Sequence, residues 1–231
     1  MKLLTKVLLL LSAGLFAASA WAVPVTLSQL TGVTGGSPAG TAVFKADLST
    51  LGLTTILSIA ISDNSSGLGG APGQFSGFDL DAIKLSTTDC ATAACADGLA
   101  GLAVFDFGAG TAFTPGSQRV PIDPKLFGTG PAGNTVDNSV ATLGAFDGNS
   151  TTAIPGADGF ISMGDNGILS FNLTSAVSTV GLWMYIGEVG DNGEAAASDI
   201  QVNSTHVPEP ATLALLGLGL AVMAAGRRRR S

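Results

Sequence analysis

Apolar and polar residues alternate in short runs along most of this chain, and each run is cut by Gly, Pro or an Asx-Gly pair. Such runs lie at residues 25–30, 41–48, 54–62, 77–86, 102–107, 119–122, 141–146, 167–173, 180–188 and 199–203. A two-residue period places alternate side chains on opposite faces, which is the mark of a β-strand with one face in the core. The punctuation is turn chemistry: Asp63-Asn64, Asp147-Gly148, Asp158-Gly159, Asp165-Asn166-Gly167 and Asp191-Asn192-Gly193. About ten short strands at this spacing predict an all-β fold, an antiparallel sandwich with a jelly-roll-like arrangement. Phe105, Phe107, Phe146, Phe171, Trp183 and Tyr185 are the expected core volume. Residues 108–138 are rich in Pro and Gly and read as loop. No helical period runs through the body.

Both ends break the pattern. Lys2 and Lys6 precede an apolar run at residues 7–18, and Ala20-Trp21-Ala22 follows as a small-x-small site. That order predicts a secretory signal peptide over residues 1–22, with Val23 as the first mature residue and the Sec translocon as the export partner. At the other end, Pro208-Glu209-Pro210 precedes sixteen apolar residues, 211–226, and then Arg227, Arg228, Arg229 and Arg230. Sixteen residues of helix span roughly 24 Å, slightly less than the roughly 30 Å hydrocarbon core, a mismatch that bilayer thinning and arginine snorkelling accommodate. The arginines belong on the cytoplasmic side. The prolines stop the helix from running upstream, which leaves an extended segment at the membrane surface. The expected organisation is a leader at 1–22, a β-sandwich ectodomain at 23–203, a linker with the Pro-Glu-Pro element at 204–210, a transmembrane helix at 211–226 and a basic tail at 227–231.

Val207-Pro208-Glu209-Pro210, the short apolar helix and the Arg227–Arg230 cluster together resemble the PEP-CTERM sorting signal of Gram-negative bacteria. The resemblance covers residues 207–230. It implies a partner, an exosortase-type membrane transpeptidase that recognises Val207, Pro208, Glu209 and Pro210 and removes the tail. It implies a route as well: across the inner membrane, a transient single-span anchor there, then the cell surface or an exopolysaccharide matrix.

Setting the ends aside changes the charge picture. Lys45, Lys84, Arg119 and Lys125 remain against sixteen acids, a net charge of about −12 for the body. Nucleic acid is excluded as a partner because binding it needs a basic footprint. Asp outnumbers Glu fourteen to three over the whole chain, which favours turns and loop-borne cation sites. The segment Phe78-Asp79-Leu80-Asp81-Ala82-Ile83 is the sharpest candidate. Strict alternation puts Phe78, Leu80 and Ala82 on one face and Asp79, Asp81 and Ile83 on the other. Two like charges two residues apart on one face invite a hard cation, Ca²⁺, or else lie in solvent beside Lys84. Glu188, Asp191 and Glu194 could join such a site, although a plain hairpin turn also accounts for them. Cys90 and Cys95 are the chain's two cysteines, and in an exported chain they are expected to form a local disulfide.

The absent chemistry is also informative. The single histidine, His206, lies in the linker, so neither a Ser-His-Asp nor a Cys-His constellation nor a His-based zinc site can be assembled. No phosphate-binding loop is present. The expectation is therefore not an enzyme but an exported structural or interaction protein of the surface or matrix. A carbohydrate-binding module using Trp183 and Tyr185 is the alternative. A glycoside hydrolase built from Asp79, Asp81, Glu188 and Asp191 is a further one.

Overall fold

The computed structural model describes residues 22–65, 67–68, 71–149 and 156–206. The expected leader up to residue 21, the sorting residues 207–210, the span at 211–226 and the basic tail lie outside them. Among the described residues no helix is long and apolar enough to cross a membrane.

Among the described residues, ten strands form two antiparallel sheets of five. In chain order they are β1 Val23–Pro24, β2 Ser28–Thr34, β3 Thr41–Asp47, β4 Thr55–Ser62, β5 Asp79–Ser86, β6 Thr111–Thr114, β7 Ile161–Ser162, β8 Ile168–Ser178, β9 Trp183–Val189 and β10 Asp199–Asn203. One sheet runs β1-β10-β4-β8-β6 and the other β2-β3-β9-β5-β7. Period-two alternation does the sorting. Ala42, Phe44 and Ala46 of β3 turn inward with Met184 and Ile186 of β9, and they meet Ile59 and Ile61 of β4, Leu169 and Phe171 of β8, and Ile200 and Val202 of β10. One continuous apolar layer thus lies between the sheets, as the sandwich expectation requires.

The β5 strand departs from its expected pattern. Leu80 pairs with Glu188, yet Ile83 pairs with Ile186, so β5 carries one extra residue at this point. Such a bulge shifts the phase of everything after it. Phe78 and Leu80 face the core, and after the bulge so do Ile83 and Leu85, while Ala82 turns to the outer side. The expected grouping of Ala82 with Phe78, and of Ile83 with Asp81, is therefore corrected.

The outer face of the β3-β9-β5 sheet is also covered. The loop closed by the Cys90–Cys95 disulfide, the short helix Ala93–Asp97 and Phe146 pack over Val43, Ala82 and Tyr185. Every residue of β5 is buried in consequence. Lys84 donates to the carbonyls of Asp97 and Leu99 at 2.9 Å each and lies 4.8 Å from the Phe146 ring centre.

Three expected strands are loops. Residues 102–107 form one isolated bridge, Phe105 with Leu173, and add backbone bonds from Leu102 N to the Leu85 carbonyl at 2.7 Å and from Thr174 N to the Val104 carbonyl at 2.9 Å. Residues 141–146 begin with the end of a short helix, Asn138–Ala141. Residues 119–122 belong to a loop held by side-chain and backbone bonds. The Gln118 side-chain amide donates to the Asp123 carbonyl at 3.1 Å and accepts from the Asp123 N–H at 2.7 Å, and Ser117 and Asp165 exchange backbone bonds of 2.9 and 2.8 Å. Conversely, β6 lies inside the stretch read as loop.

Candidate functional site

Two groups of acids, all buried except the half-buried Asp165, hold the polar chemistry of the body. The first is centred on Asp81, which is fully buried. Its carboxylate accepts from Thr41 Oγ1 at 2.6 Å, Gly148 N at 3.0 Å and Asp147 N at 3.2 Å. It thereby clamps residues 147–148 onto the sheet. Gly148 is required by this approach: a Cβ there would lie 2.7 Å from Val189 Cγ2 and 2.8 Å from Asp81 Cγ. Burial pushes the Asp81 pKa up to about 7, with the Thr41 and Gly148 bonds opposing and the Asp147 charge adding to it. A buried carboxylate already met by three protein donors has its coordination largely spent.

The second group lies at one end of the sandwich and draws its acids from both sheets. Asp63 follows β4, Asp165 precedes β8, Asp79 opens β5, Glu188 lies near the end of β9, and Glu194 begins the short helix Glu194–Ala197. Each acid has a different supply of donors. Asp63 accepts from Ser65 N at 3.1 Å and from Asn166 N at 2.9 Å. Asp79 accepts from Ser162 Oγ, its partner in register. Glu188 accepts three backbone N–H bonds, from Asn192 at 2.9 Å, Glu194 at 3.0 Å and Ala195 at 2.8 Å. It organises the turn that follows β9, where Gly190, Asp191 and Gly193 all have positive φ.

Glu194 differs from the others. Its side chain is fully buried, and neither carboxylate oxygen meets a hydrogen-bond donor in good geometry. Its nearest cation is Arg119, with Nη2 3.8 Å from Glu194 Oε1 and Nε 3.4 Å from Asp165 Oδ1. Burial, and next the charge of Glu188, push the Glu194 pKa up to about 8, with the Asn192 amide and Arg119 opposing and Asp63 adding to the rise. Burial likewise raises the Asp79 pKa well above the usual carboxylate range. The Ser162 bond and Arg119 oppose that rise, and Glu194 and Glu188 add to it.

The expected pair Asp79 and Asp81 is thus divided between the two groups. Asp79 joins the Glu194 cluster and Asp81 the Gly148 clamp. The solvated strand face set against a cation site is corrected too, because both carboxylates are buried. Of the neighbours named with them, Glu188 and Glu194 belong to the cluster. Asp191 is exposed, and its Oδ1 accepts from Gln29 Nε2 at 2.8 Å. Asp63, Asp165 and Arg119 are site residues that no sequence signal marks as such. Asp63-Asn64 and Asp165-Asn166-Gly167 registered as turns, and nothing local to Arg119 signals a buried partner.

The body's hold on the chain extends a little past β10. Ser58 Oγ donates to the Thr205 carbonyl at 2.7 Å. On the far side of the same strand, Val23 of β1 pairs with Val202, so the expected mature N-terminus and the exit to the C-terminal segment lie side by side on one sheet edge.

A family model for the PEP-CTERM protein-sorting motif matches residues 206–230. The chain carries that sorting signal, which supports an exported protein sorted by an exosortase. No curated protein and no solved structure matches the chain.

Proposed function

We propose that this chain is a structural or interaction protein of the cell surface or exopolysaccharide matrix, delivered by exosortase processing of its C-terminal signal. The carrying observation is the position of the signal. The matched segment begins at His206, three residues after the last strand residue, Asn203. The whole described sandwich therefore lies on the N-terminal side of the signal. From Asn203 to Pro208 the fully extended chain reaches at most about 17 Å, so a processing enzyme at the membrane meets the motif with the sandwich close by. Within this reading the leader at 1–22 enters the Sec translocon, and the span at 211–226 is a temporary anchor.

Catalysis is not part of the reading. Asp79, Asp81 and Glu188 are buried and engaged by protein donors, which suits structure better than turnover. Sugar stacking has a weak footing as well. Tyr185 is buried, accepting from Cys90 N at 2.8 Å and donating to the Thr88 carbonyl at 2.6 Å. Trp183 is half-buried, with Lys45 Nζ 4.8 Å from its ring centre.

The test is replacement of Pro208-Glu209-Pro210 by three alanines, followed by cell fractionation and mass spectrometry of both termini. The wild-type chain should be recovered outside the inner membrane, starting at Val23 and lacking its basic tail, while the variant stays full-length at the C-terminus in the inner-membrane fraction. Identical fractions and termini for the two chains would refute the proposal.

A further inference from the structure

The Glu194 cluster has too few positive charges for its acids. Asp63, Asp79, Asp165, Glu188 and Glu194 face one guanidinium, that of Arg119. The other basic side chains of the body are engaged elsewhere: Lys45 with Asp89, Lys84 with the Asp97 and Leu99 carbonyls, and Lys125 with the Thr129 carbonyl. Buried charge of one sign is expensive unless it is paired or binds a metal. Within the cluster the hydrogen bonds are unevenly supplied. Glu188 is saturated by three N–H groups, whereas Glu194, equally buried, has neither oxygen in a well-formed hydrogen bond, its neighbours being the Asn192 amide and Arg119 Nη2 at 3.8 Å. Ser65 Oγ and Asn192 Oδ1 are also shielded from solvent and without a hydrogen-bond partner. Ser65 is tied by its N–H to Asp63, and Asn192 lies two residues before Glu194 in the same turn. Ser65 Oγ, Asp165 Oδ1, Asn192 Oδ1 and both Glu194 oxygens thus belong to the turns that carry these acids, and Asn149 Oδ1, beside Gly148, lies outside them.

We propose that this end of the sandwich binds one hard divalent cation, of which Ca²⁺ is the best match, through the carboxylates of Glu194 and Asp63 together with the Ser65 hydroxyl and the Asn192 side-chain oxygen. The donor set decides the chemistry. It contains oxygen only, which selects against soft and imidazole-seeking metals. Among the described residues no three acids, Cys or His converge to form a metal cage on their own, so the set is two carboxylates completed by neutral oxygens and water. Mixed, loop-borne oxygens with irregular geometry suit Ca²⁺, which accepts six to eight ligands. Mg²⁺ demands a near-ideal octahedron. The cation would join the two sheets at this end, since Asp63 follows β4 of one sheet and Glu194 sits on the turn after β9 of the other.

The test uses the full chain, stripped with a chelator and titrated with CaCl₂ from about 10 µM to 10 mM, the affinity range of extracellular modules. Calorimetry gives stoichiometry and affinity, and the melting temperature gives linkage. One ion should bind per chain and raise Tm by roughly 4–8 °C at saturation. Affinity should fall at least about ten-fold in Glu194→Gln and in Asp63→Asn, remain unchanged in Asp81→Asn, and be weaker for MgCl₂ than for CaCl₂. If Glu194→Gln does not fold, Asp63→Asn and Ser65→Ala read the same loss. Absence of binding heat and of any Tm shift at 10 mM Ca²⁺ would overturn the proposal. So would an affinity indifferent to both Glu194 and Asp63. A third overturning result is a stability that rises on acidification equally with and without Ca²⁺, which would mean that protons alone neutralise the cluster.

Discussion

Neutralising Asp81 by substitution should remove a stability penalty that grows with pH. In the folded chain burial holds this carboxyl's pKa at about 7, against an ordinary value of 3.8. Below about pH 4 both the folded and the unfolded chain carry it protonated, and the group contributes no penalty. Between about pH 4 and pH 7 the unfolded chain ionises it readily and the folded chain does not, so stability falls as pH rises. Above about pH 7 the penalty is complete. A difference of about three units corresponds to about 4 kcal/mol at 1.36 kcal/mol per unit. For a domain of this size that is roughly 8–16 °C in Tm. Asp81→Asn imitates the protonated form: its carbonyl can accept from Gly148 N and Asp147 N, and its amide can face the Thr41 hydroxyl in the place of the 2.6 Å bond. The measurement is Tm from pH 4 to pH 8.5, with chelator present, for wild type and variant. Asp147 and Lys84 are the charged neighbours of this carboxyl, and the Tm difference between the two chains reads Asp81 together with its coupling to them. The variant should gain on wild type steadily from pH 4 to about 7 and hold that gain above. A Tm difference that stays constant across the range would refute the argument that burial controls this carboxyl.

Two further outcomes follow from the same regions. Gly148→Ala should destabilise by about 2–3 kcal/mol, because its Cβ overlaps Val189 Cγ2 and Asp81 Cγ; chemical denaturation measures it, and a loss below about 0.5 kcal/mol would mean that the clamp yields freely. Replacing Cys90 and Cys95 together by Ala should cost only about 2 kcal/mol, since the ring closes over a sequence separation of five. A loss above about 4 kcal/mol would show that the loop matters to the Tyr185 face by more than chain entropy.

Where strands lie was readable wherever one face of the run is buried and the other is not. The runs that became β3, β4, β9 and β10 carry that alternation. It failed where tertiary contacts decide. Phe105 and Phe107 look like strand residues, yet they pack at 5.3 Å on one another and edge-on to Phe171 from a loop. The β6 strand is only Thr111–Thr114 and owes its existence to pairing with β8. The β5 bulge left no local mark either, because Asp81 and Ala82 differ little from any polar-apolar step. The acid cluster was half visible. Glu188 and Glu194 stood out in one hairpin, but Asp63, Asp165 and Arg119 reach it from distant parts of the chain, and proximity of that kind has no sequence period. The disulfide was readable because two cysteines so near in the chain have few alternatives.

The place of β10 constrains when the body can finish folding. This strand is flanked on both sides, by β1 and by β4, so until residue 203 is available the first strand has nothing to bind and β4 shows a bare edge. Closure of that sheet therefore waits for nearly the entire polypeptide, and the sorting signal arrives only three residues afterwards. A truncated or stalled chain would present unpaired backbone instead of a finished surface, whereas a chain that has delivered its signal can complete its last ladder at almost the same moment.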